Sequence, residues 1–313
     1  MNSTQSSGAP EPSAIAALPQ QTFLVRHGIS PVVFACLSLI LVFLLYQGFG
    51  GLATILIFGL KPTFENVNAV RVATFLGQLL LLLIPAVLLT RLASPTPSMF
   101  LRLRAPRIRE VLIPLFGIFS LQQILQIYIV LQEKIPVPNS IQPIIEQFKH
   151  LIEETYKVLV RSSSIPELLF VLFAVALVPA IAEEALFRGL VQRSFETKLG
   201  GKKAFVLVGL IFAMYHLNPF SFIPLAVLGV YLGFLVYRSN SLWVSVAAHF
   251  YNNLFACIAV YLHMDDDFLV TGNPAFLSPT VLAVTFVSFS VVFLVSTYYF
   301  IIVTKLVPST SAH

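Results

Sequence analysis

Long apolar segments recur along this chain, with short polar connections between them. Most approach the roughly 20 residues that a helix needs to cross the hydrocarbon core of a bilayer. The pattern therefore predicts an all-α fold, a polytopic transmembrane helical bundle of about eight helices. The predicted helices are 32–58, 69–89, 111–131, 168–191, 205–217, 222–237, 242–262 and 281–303.

Two segments differ from a simple span. Segment 140–160 places apolar residues on one helical face and charged residues opposite, which predicts an interfacial amphipathic helix on the outer surface of the bilayer. Segment 205–217 would be only about 20 Å long as a helix, and Asn218-Pro219 ends it. Segments 205–217 and 222–237 are therefore either two full spans or a hairpin of short helices, and the sequence leaves both open.

Composition excludes an ordinary soluble domain. Hydrophobic residues make up 57% of the 313 residues and charged residues 11%, against about a quarter charged in soluble domains. The net charge of +5 comes from basic residues in the connections rather than from a basic cluster interleaved with aromatics, so no nucleic acid partner is expected. The positive-inside rule places the Arg-rich connection 91–109 in the cytosol. Alternation then puts both termini there and Asp265–Asp267 on the other side.

Two adjacent acids, Glu183 and Glu184, interrupt the fourth long apolar segment. An ionisable side chain at bilayer depth costs on the order of 3 kcal/mol, so it needs a partner or a wet cavity. Glu184 and Arg188 are four residues apart on one helical face and can pair. Glu183 points elsewhere and stays available for chemistry.

Later segments add His216, four residues after Phe212, and the pair His249 and Asn253, also four residues apart. At a rise of 1.5 Å per residue, Glu183, His216, His249 and Asn253 all fall roughly 12 to 20 Å below the cytosolic surface. A carboxylate can take a proton from water, an imidazole can position that water or bind a metal, and a second imidazole with a carboxamide can stabilise an oxyanion. This set suits amide hydrolysis.

The sequence resembles the CPBP family of intramembrane proteases, which includes the CAAX prenyl proteases of the Rce1 type. Three of the family's motifs occur here in the family's order, over about residues 166–261: Glu-Glu-x-x-x-Arg from Glu183 to Arg188, Phe-x-x-x-His from Phe212 to His216, and His-x-x-x-Asn from His249 to Asn253.

The resemblance implies an intramembrane endopeptidase acting on membrane-anchored or prenylated protein substrates, with its active site opening toward the cytosolic side. Glu183 and His216 would activate the attacking water, and His249 and Asn253 would stabilise the oxyanion. Glu184 and Arg188, with Phe212, would support the site. One zinc ion held by Glu183, His216 and His249 is one interpretation, and a metal-free glutamate mechanism is the other. The sequence leaves both open.

The resulting domain organisation has four parts. Residues 1–28 form a disordered tail rich in Ser, Pro, Ala and Gln. Residues 29–165 contain the N-terminal transmembrane helices and the amphipathic helix. Residues 166–262 form the catalytic membrane core, and residues 263–313 contain the last helix and a C-terminal tail.

Other interpretations also place ionisable residues inside a helical bundle. A buried ion-pair network is the structural alternative for the acids, and a non-catalytic bacteriocin-immunity or scaffold protein of the same fold is the functional one. An ion-coupled transporter would also place carboxylates and imidazoles at depth, but the sequence lacks the second broken-helix half of an inverted repeat. All three Asp residues are consecutive, so the chain has no aspartyl pair inside the bilayer. No His-Glu-x-x-His motif occurs, which excludes the usual zincin helix. The absence of a Gly-x-Ser-x-Gly motif argues against a serine mechanism.

Overall fold

The computed structural model describes residues 22–263 and 278–304, and within these ranges the chain is all-α, without a strand. The predicted fold class is confirmed. The helices are α1 Phe23–His27, α2 Pro31–Phe58, α3 Val67–Ala93, α4 Pro97–Phe100, α5 Ile108–Glu133, α6 Gln142–Val160, α7 Ile165–Leu199, α8 Gly201–Tyr215, α9 Phe222–Ser239, α10 Leu242–Tyr261 and α11 Pro279–Val303.

Each of the eight predicted apolar segments forms a helix. Seven helices in the described part of the chain are long and apolar enough to cross a membrane. The exception is α8, whose 15 residues span only about 22 Å. The fourth segment is longer than predicted, since α7 continues to Leu199, where Gly200 with a φ of 74° ends it.

Part of the tail predicted for residues 1–28 is helical. Residues 1–21 lie outside the described residues. Beyond them, Phe23–His27 form the short helix α1, because the Thr22 side chain accepts a hydrogen bond from the Val25 amide and caps the first turn. Leu24 is buried against the bundle. The described residues therefore include a short helix before the first span.

Two glycines let α8 and α9 pack as a hairpin. A Cβ added at Gly209 would lie 2.5 Å from the backbone nitrogen of Val230, and one at Gly229 would lie 2.9 Å from the carbonyl oxygen of Gly209. Small residues of this kind allow helix backbones to approach closely within a membrane. A 3₁₀ turn at Pro219–Ser221 joins the two helices, with the Asn218 side chain as its cap. The first arm is thus shorter than a full span, whereas the second, Pro219–Ser239, is long enough to cross a membrane.

Several polar connections meet at one end of the bundle. Arg102 forms an ion pair with Glu196 at the end of α7, and its carbonyl oxygen accepts a hydrogen bond of 2.9 Å from the amide of Leu242. Arg104 donates to the carbonyl oxygen of Ser239 at 2.7 Å. The connections predicted to share one side of the membrane therefore lie together. That this side faces the cytosol stays a prediction, and Asp265–Asp267 lie outside the described residues.

The amphipathic helix predicted for 140–160 is present as α6. Lys149 on α6 forms an ion pair with Glu133 at the end of α5, and the Phe148 ring lies 6.0 Å from that of Phe220 in the turn of the hairpin. At the end of α6, the buried Arg71 of α3 donates to the carbonyl oxygens of residues 158, 159 and 161. The helix is thus fixed at the end of the bundle opposite to Arg102. Its position on the bilayer surface stays a prediction.

Three of the long helices contain four π-helical turns: Leu44–Gly51 in α2, Gln78–Leu83 in α3, and Leu172–Leu177 and Ala185–Gln192 in α7. Such turns are rare and occur frequently at functional sites. Three of the four carry or directly follow polar side chains that meet in the interior of the bundle. That meeting point is the candidate active site.

Candidate active site

Glu184 lies fully buried in α7 with three polar partners. Its Oε1 atom lies 2.8 Å from Nη1 of Arg188 and 2.9 Å from Nδ1 of His249, and Oε2 accepts a hydrogen bond from the hydroxyl of Ser245. The pairing of Glu184 with Arg188 that the spacing predicted is therefore present. Because every partner comes from α7 or α10, this carboxylate joins the two helices.

Arg188 is also fully buried and makes further contacts beyond its ion pair. Its Nη2 atom donates to the carbonyl oxygen of Gly229 at 2.9 Å, and its guanidinium lies 4.5 Å from the centroid of the Phe212 ring. A buried charge is tolerated only when it is paired and hydrogen-bonded. The contacts of Arg188 with α7, α8 and α9 meet that requirement and connect the hairpin to the acids.

The ring of His249 is oriented by its contact with Glu184. Since Nδ1 faces a carboxylate oxygen, the hydrogen of a neutral ring resides on Nδ1, and Nε2 presents a lone pair. Nε2 lies 4.0 Å from Oε2 of Glu183, and the side chain is 5% exposed.

His216 repeats this arrangement on α8. Its Nδ1 atom donates to the carbonyl oxygen of Phe212 at 2.7 Å, and its Nε2 atom lies 3.9 Å from Oε2 of Glu183. The ring of Phe212 contacts both imidazoles, with centroid distances of 4.5 Å to His216 and 6.0 Å to His249. Phe212 therefore packs against both rings. His216 is 32% exposed and is the accessible member of the site.

Glu183 lies between these two imidazoles. Its Oε1 atom accepts a hydrogen bond of 3.3 Å from Nε2 of Gln78, whereas Oε2 is buried without a hydrogen-bond partner among the described residues. Oε2 faces the Nε2 atoms of both histidines. When both rings are neutral, three hydrogen-bond acceptors therefore face one another, and a group that donates hydrogens, such as water, complements them.

Asn253 lies one helical turn beyond His249 on α10, as its spacing predicted. Its side-chain oxygen accepts a hydrogen bond of 3.2 Å from the side chain of Asn252. The structure thus brings Glu183, His216 and His249 together. The side-chain oxygen of Asn253, four residues after His249, is bonded to Asn252.

Two polar residues of the site were missed by the sequence reasoning. Gln78 on α3 contacts Glu183, and Tyr46 on α2 accepts a hydrogen bond of 2.9 Å from the same Gln78 nitrogen. Both lie in apolar runs that were interpreted only as spans. The signal that would have found Gln78 is the one that found the acids, since polar side chains within a transmembrane helix face partners inside the bundle.

The fit of the predicted zinc ion can be tested on distances. Two ligands of a tetrahedral zinc ion, each about 2.0 to 2.1 Å from the metal, lie about 3.3 Å apart. The Nε2 atoms of His216 and His249 lie 3.9 and 4.0 Å from Oε2 of Glu183, and the described residues contain no group of three His, Cys, Asp or Glu arranged to hold a metal ion. The arrangement thus fits a water better than zinc, and the zinc site stays a prediction.

The fold and the site together define the class of the protein: an integral, multi-pass membrane protein with ionisable groups gathered inside its helical bundle. Residues 165–255 match the family model described as Type II CAAX prenyl endopeptidase Rce1-like. The match runs from the start of α7 into α10 and contains Glu183, His216, His249 and Asn253. The resemblance found in the sequence is confirmed over this segment. Searches of curated proteins and of solved structures gave no match for the chain.

Proposed function

We propose that this protein is an intramembrane endopeptidase that hydrolyses a peptide bond of membrane-associated substrates, including prenylated proteins of the CAAX type. The observation that carries the proposal is the buried, unpartnered Oε2 atom of Glu183, which faces the Nε2 atoms of His216 and His249. A carboxylate oxygen with two imidazole nitrogens 3.9 and 4.0 Å away is a hydrolytic arrangement. The match of residues 165–255 to a family of endopeptidases supports it independently.

The water that attacks the substrate lies between Glu183 and His216 in this proposal. A water at an ordinary hydrogen-bond distance of about 2.8 Å from two acceptors fits their separation of 3.9 Å. It donates one hydrogen to Oε2 of Glu183 and the other to Nε2 of His216. As its oxygen bonds to the carbonyl carbon, Glu183 takes the proton. Glu183 then delivers that proton to the leaving amine when the C–N bond breaks.

The oxyanion that forms in this step is assigned to His249 and the carboxamide of Asn253. Because Nδ1 of His249 already donates to Glu184, Nε2 can donate only from an imidazolium ring, in which both nitrogens carry a hydrogen. Glu184 and Arg188 act by holding His249 and the helices in place.

A substrate screen tests the proposal. Detergent-purified protein is incubated with a farnesylated peptide ending in a CAAX sequence and with a membrane-anchored reporter, and the products are weighed by mass spectrometry. We expect one defined cut in at least one of the two substrates. Ion flux into liposomes without cleavage of either substrate would instead support a transporter, and neither flux nor cleavage would support a non-catalytic protein of the same fold.

A further inference from the structure

A buried glutamine outside the family-matched segment contacts the acid assigned as the base. Gln78 is 4% exposed and lies at the start of the π-helical turn Gln78–Leu83 of α3. Its Nε2 atom donates to Oε1 of Glu183 at 3.3 Å and to the hydroxyl oxygen of Tyr46 at 2.9 Å. Turning the amide over would bring its oxygen against the carboxylate oxygen of Glu183, which cannot donate a hydrogen, so the nitrogen is the atom that faces Glu183.

Tyr46, the second acceptor of the Gln78 amide, is itself held in place by packing. It lies in the π-helical turn Leu44–Gly51 of α2, and its ring packs against α3, where a Cβ added at Gly77 would lie 3.4 Å from the ring. The next residue, Gln47, donates to the carbonyl oxygen of Tyr215 at 3.2 Å, beside His216. The first two long helices therefore contact both the acid and the helix end that carries an imidazole.

The contact with Gln78 determines which carboxylate oxygen of Glu183 is available to the water. Gln78 occupies Oε1 of Glu183, and Oε2 is left to face the two imidazoles. A free glutamate side chain rotates about its terminal bond and exchanges its oxygens. A donor on Oε1 fixes the plane of the carboxylate and reduces the ordering cost at the moment of proton transfer.

We propose that Gln78 is a positioning residue for the proposed hydrolysis: it holds the Glu183 carboxylate with Oε2 toward the water, and Tyr46 in turn orients the Gln78 amide. The proposal rests on the proposed function of Glu183 and extends the active site to α2 and α3. It assigns no contact of Gln78 with the substrate. The substitution of Gln78 therefore acts on the chemical step and leaves substrate binding nearly unchanged.

The test compares Gln78→Met, which keeps the size of the side chain and removes its amide, with the wild type on a substrate that the wild type cuts. We expect kcat to fall about 10- to 100-fold, as for misplaced catalytic groups, with KM within about threefold. Tyr46→Phe should lower kcat by a smaller factor, because Gln78 keeps its bond to Glu183. Since Tyr46 acts through Gln78, the double variant should match Gln78→Met alone.

Gln123→Met is the matched control, because Gln123 is 2% exposed and lies on α5, which carries none of the assigned site residues. Its kcat should equal that of the wild type. A Gln78→Met protein with wild-type kcat, or equal losses in kcat for Gln78→Met and Gln123→Met, would overturn the proposal. If Gln78→Met does not fold, the kcat of Tyr46→Phe decides, and a wild-type value overturns the proposal.

Glu183→Gln on the same substrate separates this inference from the proposed function. If Glu183→Gln is inactive while Gln78→Met cuts at the wild-type rate, only the positioning role is lost. If Glu183→Gln cuts as fast as the wild type, the proposed function fails and the positioning role fails with it.

Discussion

The Nδ1 atom of His249 lies 2.9 Å from Oε1 of Glu184, and this contact turns Nε2 of the same ring toward Glu183. Two adjacent acids thus act on opposite sides of one imidazole. Glu184 orients the ring from behind, and Glu183 faces it across the space where a water fits. The arrangement resembles the supporting contacts by which carboxylates orient functional histidines elsewhere.

The two acids should respond differently to removal of their charge. Glu184→Gln leaves the buried guanidinium of Arg188 without its ion pair, and breaking such a pair typically costs about 3 to 5 kcal/mol. Glu183→Gln removes an acid that has one long hydrogen bond and is 14% exposed, so the fold should tolerate it. Thermal unfolding in detergent measures both. Equal unfolding temperatures for the two variants would contradict the division of roles.

Ser245 provides a milder test of the same contact. Ser245→Ala removes one donor from Glu184, and we expect a loss of about 1 kcal/mol in stability with a several-fold lower kcat, because the orientation of His249 weakens. Ser194→Ala is the control, since the buried hydroxyl of Ser194 donates only to the carbonyl oxygen of Leu190 in its own helix. A loss of activity in Ser194→Ala equal to that in Ser245→Ala would show that the effect is not specific to the site.

The approach of α8 to α9 predicts a second stability effect. Gly229→Ala places a Cβ 2.9 Å from the backbone oxygen of Gly209, and such overpacking costs about 1 to 3 kcal/mol. It also displaces the carbonyl that Arg188 contacts. Gly48→Ala is the control, since a Cβ there meets nothing within 4 Å. Unfolding temperatures that fall equally in both variants would contradict the close approach.

Metal analysis decides between the two interpretations of the hydrolytic centre. From the separations of 3.9 and 4.0 Å around Oε2 of Glu183, we expect active protein with far less than one zinc ion per chain and no loss of activity on chelation. Elemental analysis and the activity assay are performed on the same sample. A zinc to protein ratio near one, with activity lost on chelation and restored by zinc, would establish the metalloenzyme instead.

The predicted orientation can be tested by labelling from each side of the membrane. Single cysteines at Lys202, at the start of α8, and at Glu154, on α6, are introduced into a variant without Cys36 and Cys257. In intact cells an impermeant thiol reagent should label position 154 and not position 202. The reverse pattern would invert the topology, and labelling of both positions would contradict the fold.

Much of the bundle could be predicted from the sequence, because a membrane imposes a simple rule on composition. Lengths of apolar runs located the spans, and helical spacing located α6 and the ion pair of Glu184 with Arg188. Helix ends were less predictable. The apolar run of α7 ends before its helix does, and the polar extension to Leu199 stops at Gly200. The contact of Glu196 in this extension with Arg102 comes from a distant part of the chain and leaves no local pattern.

The site was predictable where its residues are ionisable. An ionisable side chain costs free energy inside a bilayer, so its presence in an apolar segment indicates a functional site. This reasoning located Glu183, His216 and His249. Burying the uncharged side chains of Gln78 and Tyr46 costs less free energy than burying an ionised group. No periodicity relates these two residues to α7. Their contacts arise from π-helical turns and from the packing of α2 and α3, which depend on the folded bundle.

The most direct test of the account is the cleavage rate of Glu183→Gln, measured with folded protein on the substrate identified by the screen. Glu154→Gln is the control, because Glu154 is an exposed acid on α6. The account predicts a rate at least about 100-fold below that of the wild type for Glu183→Gln and an unchanged rate for Glu154→Gln. A Glu183→Gln protein that cuts within about threefold of the wild-type rate would contradict the assignment of Glu183 as the base.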